Sequence, residues 1–567
     1  MTQLILFSII VGLLLAVLMT PFLPKKRKNE EEIVRRHQPV KWFIGYAMIY
    51  SIAIFIFYYA TNLDRNLSSL WLIVLIFAIL GATVAQGVEK KAKGVIALLA
   101  LGFGVYILSA PVWNADEKYA AVEMEEQIEI TPFDETKKPA SVPPQFVRNK
   151  MKKAFGQVPN TSYYELGNLQ IQKVNGEFVY IAPVEFSGLF KWWNGKTVPG
   201  YFTMSATDSA DNPRFVKAEM TYTPSAYFGK QVERHMRMDH PELIYYGKAQ
   251  LEVDDEGKPF YIASYGKFIT ARDGFDVQGI VMVDTETGKT MKYALSEIPE
   301  FIDGAVAPEA VSLQNSYYGK YVHGFFNSLF GKKDVKIPSD EGVEASVNPV
   351  FDETGHMYYF TDFTSPKEEV DSMLGYALTD ARTGEATYYT GNLEESYMDS
   401  EGALQIVEKK FIEKKWLGEM PVLYNFYGEA SWLVPVLDSN GFLQNYFIVS
   451  AANPEISVYA NSPNEALKLY KTALQRGGSR VEGTSNAEVK EATITVERVF
   501  KERVNEATII SILATNGQNY LISTESAPLG VYVEKGDVLR VQYADTGDFF
   551  LPVQTFENTT ITPAEEG

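Results

Sequence analysis

Four stretches near the N-terminus are apolar without interruption: residues 4–23, 42–61, 70–87 and 95–112. Each is 18 to 20 residues long and holds no Asp, Glu, Lys, Arg or His. At about 1.5 Å per helical residue, that length crosses roughly 30 Å of hydrocarbon. The pattern predicts a four-helix transmembrane anchor over residues 1–113. The first run is read as a span and not as a cleaved signal peptide, because its positive charges follow the apolar stretch and no small-residue cleavage site precedes them. Without an ionisable side chain inside the spans there is no candidate proton relay or gating charge, which disfavours transport. Gly81 with Ala85, and Gly102 with Gly104, are small enough to let helices approach closely.

Beyond Trp113 the period changes. Residues 114–143 open with Asp116 and Glu117 and carry Pro132, Pro139 and Pro143 later, without a sustained apolar period; they read as an extracytoplasmic stalk. After it one pattern recurs: an apolar strand, then Asp or Asn with Gly one to four residues later, then an aromatic-rich strand. The copies centre on Asn175-Gly176, Asp254 with Gly257, Asp284 with Gly288, Asp352 with Gly355, Asp380 with Gly384, and Asp438 with Gly441. Asp caps such a turn and Gly accepts positive φ, so each predicts a β-hairpin. Calcium loops would need a denser alternation of oxygen ligands closed by a bidentate Glu, which none of these has.

Helical windows at 144–156, 227–238, 308–330, 401–416 and 463–476 separate the hairpin groups. In the third, Tyr317, Tyr321, Phe325 and Leu329 recur every four residues, making one stripe. Helix followed by hairpins, repeated four times, predicts tandem α+β units: repeats 1 and 2 in 144–300, repeats 3 and 4 in 301–460. Residues 461–490 read as a helix and linker, with a hinge at Gly477-Gly478-Ser479. Residues 491–560 read as a small β-barrel of five or six strands, at 492–500, 508–515, 519–523, 530–533, 538–543 and 550–556. Its Gly-Asp turn feeding a Val-rich strand resembles OB-fold and SH3-like barrels, which implies binding of an oligosaccharide, peptide or single strand. The expected fold class is therefore α+β: a transmembrane anchor, tandem helix-plus-antiparallel-sheet repeats and a C-terminal barrel.

The stretches Gly279-Ile-Val-Met-Val-Asp284-Thr-Glu-Thr-Gly288-Lys289 and Gly375-Tyr-Ala-Leu-Thr-Asp380-Ala-Arg-Thr-Gly384-Glu385 resemble the second half of PepSY-type domains. The resemblance implies small extracytoplasmic α+β modules, as found in protease propeptides and membrane-anchored proteins, where they are thought to inhibit peptidases or bind envelope partners.

Charge then orients the chain. Of its 567 residues, those before Trp113 include 11 basic and 5 acidic side chains, and the rest include 41 and 66, so a net of +6 precedes a net of −25. Lys25, Lys26, Arg27, Lys28, Arg35, Arg36 and Lys41 follow the first run, and Lys90, Lys91 and Lys93 follow the third. Both groups read as cytoplasmic topology determinants, with Lys25 to Lys28 touching anionic lipid. The N-terminus and everything after residue 113 are then outside, in a multi-pass protein of the plasma membrane. Trp42, Tyr58, Tyr59, Trp71 and Trp113 stand at span ends, where amphipathic rings collect. A −25 exterior repels nucleic acid. With no cysteine, disulfide scaffolds and thiolate chemistry are excluded.

Candidate chemistry is sparse. His235 and His240 lie five apart with carboxylates nearby, whereas zinc proteases space theirs by four; the better reading is a helix C-terminus before Pro241. His323 stands among Tyr317, Tyr321 and further aromatics and reads as a hydrogen-bonded histidine, with a general base as the alternative. Tyr-Tyr pairs such as Tyr163-Tyr164, Tyr245-Tyr246, Tyr358-Tyr359 and Tyr388-Tyr389 read as core packing, with glycan stacking as the alternative. No G-x-S-x-G elbow, P-loop or dinucleotide turn occurs. We expect no catalytic residue, cofactor or metal, and take His323, Tyr317, Tyr321, His235 and His240 as candidate interaction residues. The reading is a non-enzymatic envelope protein of bacterial or phage type that binds a protein or cell-wall polymer outside the membrane; homo-oligomers are compatible with it. The alternatives are a membrane-anchored wall or peptide hydrolase and a scaffold subunit of a membrane machine.

Overall fold

The computed structural model describes residues 1–23, 38–122, 124–128, 142–339, 347–352, 354–367, 372–390, 396–476, 489–504, 507–524, 527–544 and 550–560. Lys25, Lys26, Arg27, Lys28, Arg35, Arg36, Pro132, Pro139 and the Gly477-Gly478-Ser479 hinge lie outside the described residues.

Three N-terminal helices are long and apolar enough to cross a membrane: α1 (Thr2–Met19), α2 (Pro39–Thr61) and, beyond the shorter α3 (Trp71–Val84), α4 (Gly87–Leu108). The third apolar run thus differs from the expectation of four equal spans. Its 14 helical residues rise about 21 Å, preceded by the 3-10 turn Leu67–Leu70. It stops early because Ala85 is extended and Gly87 takes φ +58, turning the chain straight into α4.

Small residues set the helix contacts. A Cβ on Gly12 would lie 2.1 Å from Ser51 Oγ, one on Gly81 1.9 Å from the Leu18 carbonyl oxygen, and one on Gly104 2.3 Å from the Trp71 ring, whereas Gly102 faces open space. These contacts pair the end of α1 with the end of α3, and the end of α4 with the start of α3, so α1 and α3 run in the same direction and α4 runs opposite to α3. Lys90, Lys91 and Lys93 lie not in a loop, as expected, but in the first turns of α4. Lys90 and Lys91 are exposed. Lys93 is buried; its Nζ donates to the Thr20 carbonyl (2.7 Å) beyond α1 and pairs with Glu89 (2.6 Å). Glu89 in turn accepts the Phe22 and Leu23 amides.

The segment after α4 also departs from the expected stalk. It forms α5 (Ala115–Ala121) and β1 (Met124–Gln127), which pairs in parallel with a strand some 260 residues later, Met124 opposite Ala386. Ala115, Lys118 and Val122 are buried at helical spacing, so this short helix has an inward face that its composition hides.

Four units follow, and they share one topology. Unit 1 has α6 (Pro144–Ala154), then β2 (Tyr164–Leu166), β3 (Gln170–Val174), β4 (Glu177–Phe186), a short α7 (Leu189–Gly195), β5 (Val198–Ser205) and β6 (Arg214–Met220). Unit 2 has α8 (Val232–Asp239), β7 (Ile244–Tyr245), β8 (Gln250–Val253), β9 (Pro259–Lys267), β10 (Asp276–Asp284) and β11 (Thr290–Ala294). Unit 3 has α9 (Pro308–Lys320), β12 (Ile337–Pro338), β13 (Asn348–Phe351), β14 (Met357–Thr364), β15 (Ser372–Asp380) and β16 (Ala386–Tyr389), with β17 (Tyr397–Met398) on β15. Unit 4 has α10 (Ser400–Lys410), β18 (Leu417–Gly418), β19 (Val422–Phe426), β20 (Glu429–Leu437), β21 (Leu443–Ser450) and β22 (Ser457–Ala460), then α11 (Pro463–Arg476). In every unit the two short leading strands pair with opposite ends of the long third strand, which continues as an antiparallel meander.

The third strand of each unit is buried on both faces along most of its length, which explains near-continuous apolar runs such as Val179–Val184 in place of alternation. Sheets pack in pairs. Units 1 and 2 enclose Ile181, Tyr201, Tyr261 and Val281 with Val232 and Met236 of α8. Units 3 and 4 enclose Phe360, Trp432 and Phe447 with Ala403 and Val407 of α10. A further cluster, with Phe146, Phe202, Val311 and Tyr359, joins the two pairs.

All six Asp/Asn-Gly motifs are turns. In the last five, one aspartate oxygen accepts two backbone amides of its own turn, as Asp284 does from Glu286 (3.1 Å) and Thr287 (3.0 Å). They are not equivalent copies, however: they follow the second, third or fourth strand of their unit. Asn175, Asp254 and Asp352 stand between the second and third strands of units 1, 2 and 3, Asp284 and Asp380 between the fourth and fifth of units 2 and 3, and Asp438 between the third and fourth of unit 4.

At the C-terminus β23 (Val489–Val504), β24 (Ala507–Ala514), β25 (Asn519–Ser523), β26 (Val538–Ala544) and β27 (Phe550–Asn558) pair in the order β23-β24-β25-β27-β26 and close on β23. The 16-residue β23 serves both neighbours by shifting register between Val496 and Arg498. Residues 530–533, expected as a strand, mostly belong instead to the 3-10 turn Pro528–Tyr532, which Pro528 opens.

Candidate functional site

The site with the densest inter-element chemistry lies where the repeat domain meets the helices. Between β9 and β10 the chain makes a two-residue turn at Ala271-Arg272, closed by reciprocal hydrogen bonds between Thr270 and Asp273. Both turn residues have positive φ, +46 and +63, without being glycine. Such backbone persists where the surroundings hold it.

Two ion pairs hold it here. The Arg272 guanidinium donates to both oxygens of Asp64, at 2.9 and 2.8 Å, and rests on the Phe268 ring. Asp64 belongs to the loop between α2 and α3. Burial pushes its carboxyl pKa up, but Arg272 outweighs this and holds it below the usual range. The next residue, Asp273, accepts from Lys118 of α5 at 2.7 Å. Lys118 is 1% exposed, with its ammonium 5.0 and 4.8 Å from the stacked rings of Tyr317 and Tyr321. Burial, reinforced by Asp273, pushes the Tyr317 phenol up. Thr270 also donates to Glu117, and Tyr119 stacks on Tyr318. From α8, Arg234 donates to the Tyr59 carbonyl at the end of α2 (2.8 Å) and lies over that ring.

Of the five candidate interaction residues, the structure brings Tyr317 and Tyr321 into this junction. His235 and His240 instead tie α8 to the β10–β11 hairpin: His235 Nε2 is 2.7 Å from the Gly288 carbonyl and His240 Nε2 3.2 Å from Thr290 Oγ1. His323 is exposed and pairs with exposed Asp334 at 2.8 Å, outside any aromatic core. The 308–330 window is not one helix: α9 ends at Lys320, and Gly324, at φ +76, starts a separate turn, Gly324–Phe326. The expected stripe therefore splits, with Tyr317 buried and Leu329 exposed.

Sequence reasoning passed over Lys118, Arg272 and Asp273, and gave Asp64 and Arg234 no partner. The one local signal was that Asp64 and Arg65 are the sole charges in the loop between the second and third apolar runs. It also passed over a repeated latch: Lys258 pairs with Asp284 (2.6 Å) in unit 2, and His356 with Asp380 (2.8 Å) in unit 3, each basic residue directly following a turn glycine.

Acidic groups are buried between the sheets. Glu185 accepts from Tyr261 and Ser225, and burial pushes its pKa up to about 7. Asp303 accepts the Lys173 amide at 2.5 Å and is pushed up to about 6; Glu252, beside it, is raised as well. These groups brace loops inside packed interfaces. Among the described residues no cluster of three or more His, Asp or Glu could hold a metal ion. In each Tyr-Tyr pair both rings are buried or half-buried, as with Tyr388, which donates to the Leu374 carbonyl, and Tyr389, stacked on Tyr376.

No protein-family model matches the chain, and no curated protein does. Solved structures that align with it include a Trypanosoma rangeli sialidase, 10% identical over 69% of this chain, at a TM-score of 0.17. The aligned part spans 54% of the sialidase's own length. A BT0996 RGII complex aligns at 9% identity over 67% of this chain and 95% of that one, at 0.17, and a glycoside hydrolase at 9% over 66% and 94%, at 0.18. Scores this low leave the function to the chain's own residues. Chemically, the junction holds: a bidentate fork, a buried ammonium and stacked phenols fasten two parts of the protein together.

Proposed function

We propose that the protein is a multi-pass membrane protein of the cell envelope. On this reading its repeat domain stands directly on the outer ends of its own helices and presents the terminal barrel to an envelope protein or cell-wall polymer, without catalysing a reaction. The observation that carries the reading is the double fastening at one turn: Arg272 holds Asp64, before α3, and Asp273 holds Lys118, after α4. Two points of the chain that flank α3 and α4 meet the same turn, so these two helices make one excursion away from the repeat domain and back. The short α3 packs Ala78 and Gly81 against its neighbours and leaves Leu72, Ile76, Ile79 and Leu80 exposed, as a lipid-facing side would be. Exposed Lys90 and Lys91 stand at the far end of that excursion, which favours the cytoplasm for that end and the exterior for the repeat domain.

Two further features support the parts. The hairpins that resemble PepSY-type domains take the same place in units 2 and 3, as tandem modules of that kind would. The closed five-stranded barrel suits an OB-type module. It leaves Phe500, Leu529, Val531 and Tyr532 exposed, with Lys501 donating to the Val531 carbonyl so that the two segments adjoin. Such a surface fits a peptide or oligosaccharide partner.

The test is crosslinking and pull-down of the intact protein from membranes, alongside retention of the solubilised full chain on peptidoglycan. A partner or polymer captured by the native chain and lost with Phe500→Ala/Tyr532→Ala is expected. Recovery of neither would end the binding reading.

A further inference from the structure

Most large apolar side chains of the repeat domain are buried, yet two short segments expose several together. In α7, Phe190 is 82% and Trp193 63% exposed, beside Phe228 at 49%. After α9, Phe326 is 65%, Leu329 52% and Phe330 80% exposed. Packing does not account for them, and contiguous exposed rings mark a surface that something covers.

Their position says what covers them. Trp192 packs against Phe228 at 5.7 Å, and the Phe228 carbonyl accepts from Arg234, the same guanidinium that donates to Tyr59 at the end of α2. The first cluster is therefore one residue removed from the point where a membrane helix ends. The second begins at Gly324, where an added Cβ would sit 3.0 Å from Asp116 of α5, the short helix that follows α4. Both clusters adjoin the established helix–domain junction, one beside α2 and one beside α4.

Their charge agrees. In a portion of the chain with a net of −25, residues 187–197 hold Lys191 and Lys196 and no acid, and residues 320–333 hold Lys320, Lys332 and Lys333 and no acid. Aromatic and aliphatic tips flanked by lysine are the composition of segments that lie in the head-group region of an anionic bilayer.

We propose that α7 and the Gly324–Gly331 turn are membrane-interface anchors that dip into the leaflet facing the repeat domain, so that the domain rests on lipid as well as on its own helices. The occupant is phospholipid at the boundary of head groups and acyl chains, with lysines drawing anionic head groups. Trp193, with its indole, and Phe190 supply one foot; Phe326, Leu329 and Phe330 supply the other. Together with the Arg272 and Lys118 fastenings they fix the domain's tilt. This inference rests on the topology proposed above, in which the repeat domain and the loop at Asp64 share one side.

The absence of cysteine makes the test direct. Single variants Phe190→Cys, Phe330→Cys and Lys535→Cys in the full-length chain are labelled with an environment-sensitive fluorophore and reconstituted into phosphatidylcholine–phosphatidylglycerol vesicles. Nitroxide lipids then report proximity to the bilayer. Quenching of the labels at 190 and 330 should exceed that at 535, on an exposed barrel turn, by at least about twofold, and should weaken when phosphatidylglycerol is omitted. Quenching at 190 and 330 no greater than at 535 would overturn the inference. So would blue-shifted emission without lipid quenching, which would point to a protein covering these rings. The topology is read separately, by labelling Lys535→Cys in intact cells with an impermeant maleimide: failure there removes the topology, whereas labelling there with unquenched 190 and 330 removes the lipid contact alone.

Discussion

Arg272 grips Asp64 with two parallel hydrogen bonds of 2.9 and 2.8 Å across 208 residues of chain, while its neighbour Asp273 grips Lys118. The pair is mostly shielded, with side chains 20% and 14% exposed, so removing one partner strands the other's charge. Arg272→Ala is expected to lower stability by about 2 kcal/mol, between an exposed pair and a buried one. The charge-swapped double variant Asp64→Arg/Arg272→Asp should recover part of it. Hydrogen exchange across residues 62–70 in nanodiscs reads the effect; unchanged exchange in Arg272→Ala would mean the fork fastens nothing.

Ala271 offers the opposite sign. Its φ of +46 is left-handed backbone that an L-residue adopts at a cost. Ala271→Gly is expected to stabilise the chain by up to about 1 kcal/mol and leave the Asp64 contact in place. A lower melting temperature would show that the methyl group contributes more by packing than the backbone loses.

Glu185 makes stability depend on pH. Its ordinary value is 4.5, and burial raises it to about 7 in the fold. The folded chain thus holds more protons than the unfolded one across that window, so stability is fullest below it and falls as pH climbs through it. Glu419, raised to about 7, and Asp303 and Asp362, raised to about 6, act in the same direction. For Glu185 alone the loss is about 3 kcal/mol. Glu185→Gln keeps one oxygen for the Ser225 amide while the Tyr261 hydroxyl can turn to accept from its NH2, and it should flatten the profile, seen by comparing denaturation below about pH 5 with that above about pH 8. An identical slope in the variant would locate the dependence elsewhere.

Two glycines of the anchor should behave differently. Gly81→Val drives a side chain into the Leu18 carbonyl, whereas Gly102→Val enters open space. The first should destabilise the bundle by about 1–3 kcal/mol and the second leave it unchanged. Equal melting temperatures of the two variants in nanodiscs would contradict the packing.

Trp432 is fully buried, donates to the Met398 carbonyl at 2.9 Å and meets Phe360 edge-on. It therefore ties sheet 4 to sheet 3. Trp432→Ala should cost about 4 kcal/mol, with exchange rising across units 3 and 4 together. A rise confined to unit 4 would mean the two sheets do not share a core.

Local features are legible in the residues alone. Apolar runs mark the helices, since a helix of sufficient length in hydrocarbon satisfies its own backbone groups whatever surrounds it. The Asp-Gly turns are equally legible, because the carboxylate bonds its own next residues. Asp438 and Asp284 look alike in sequence for that reason, and the sequence has no means of saying that one turn follows the third strand of its unit and the other the fourth. The α5–β1 segment reads as a stalk because its inward face, Ala115, Lys118 and Val122, is apolar only once Lys118 has an anion and two aromatic rings to lie against.

The sequence by itself determined which stretches form long apolar helices, where the chain turns, and that acidic charge gathers after residue 113. Those are properties of neighbouring residues, and neighbours suffice to express them. Tertiary structure alone decided that Asp64 belongs with Arg272, Lys118 with Asp273, and β1 with β16. Each of these contacts joins groups separated by more than a hundred residues, and an ion pair or a strand edge leaves no periodic trace along the chain. A partner is defined by where folding brings it, and here folding brings the repeat domain down onto the ends of its own apolar N-terminal helices.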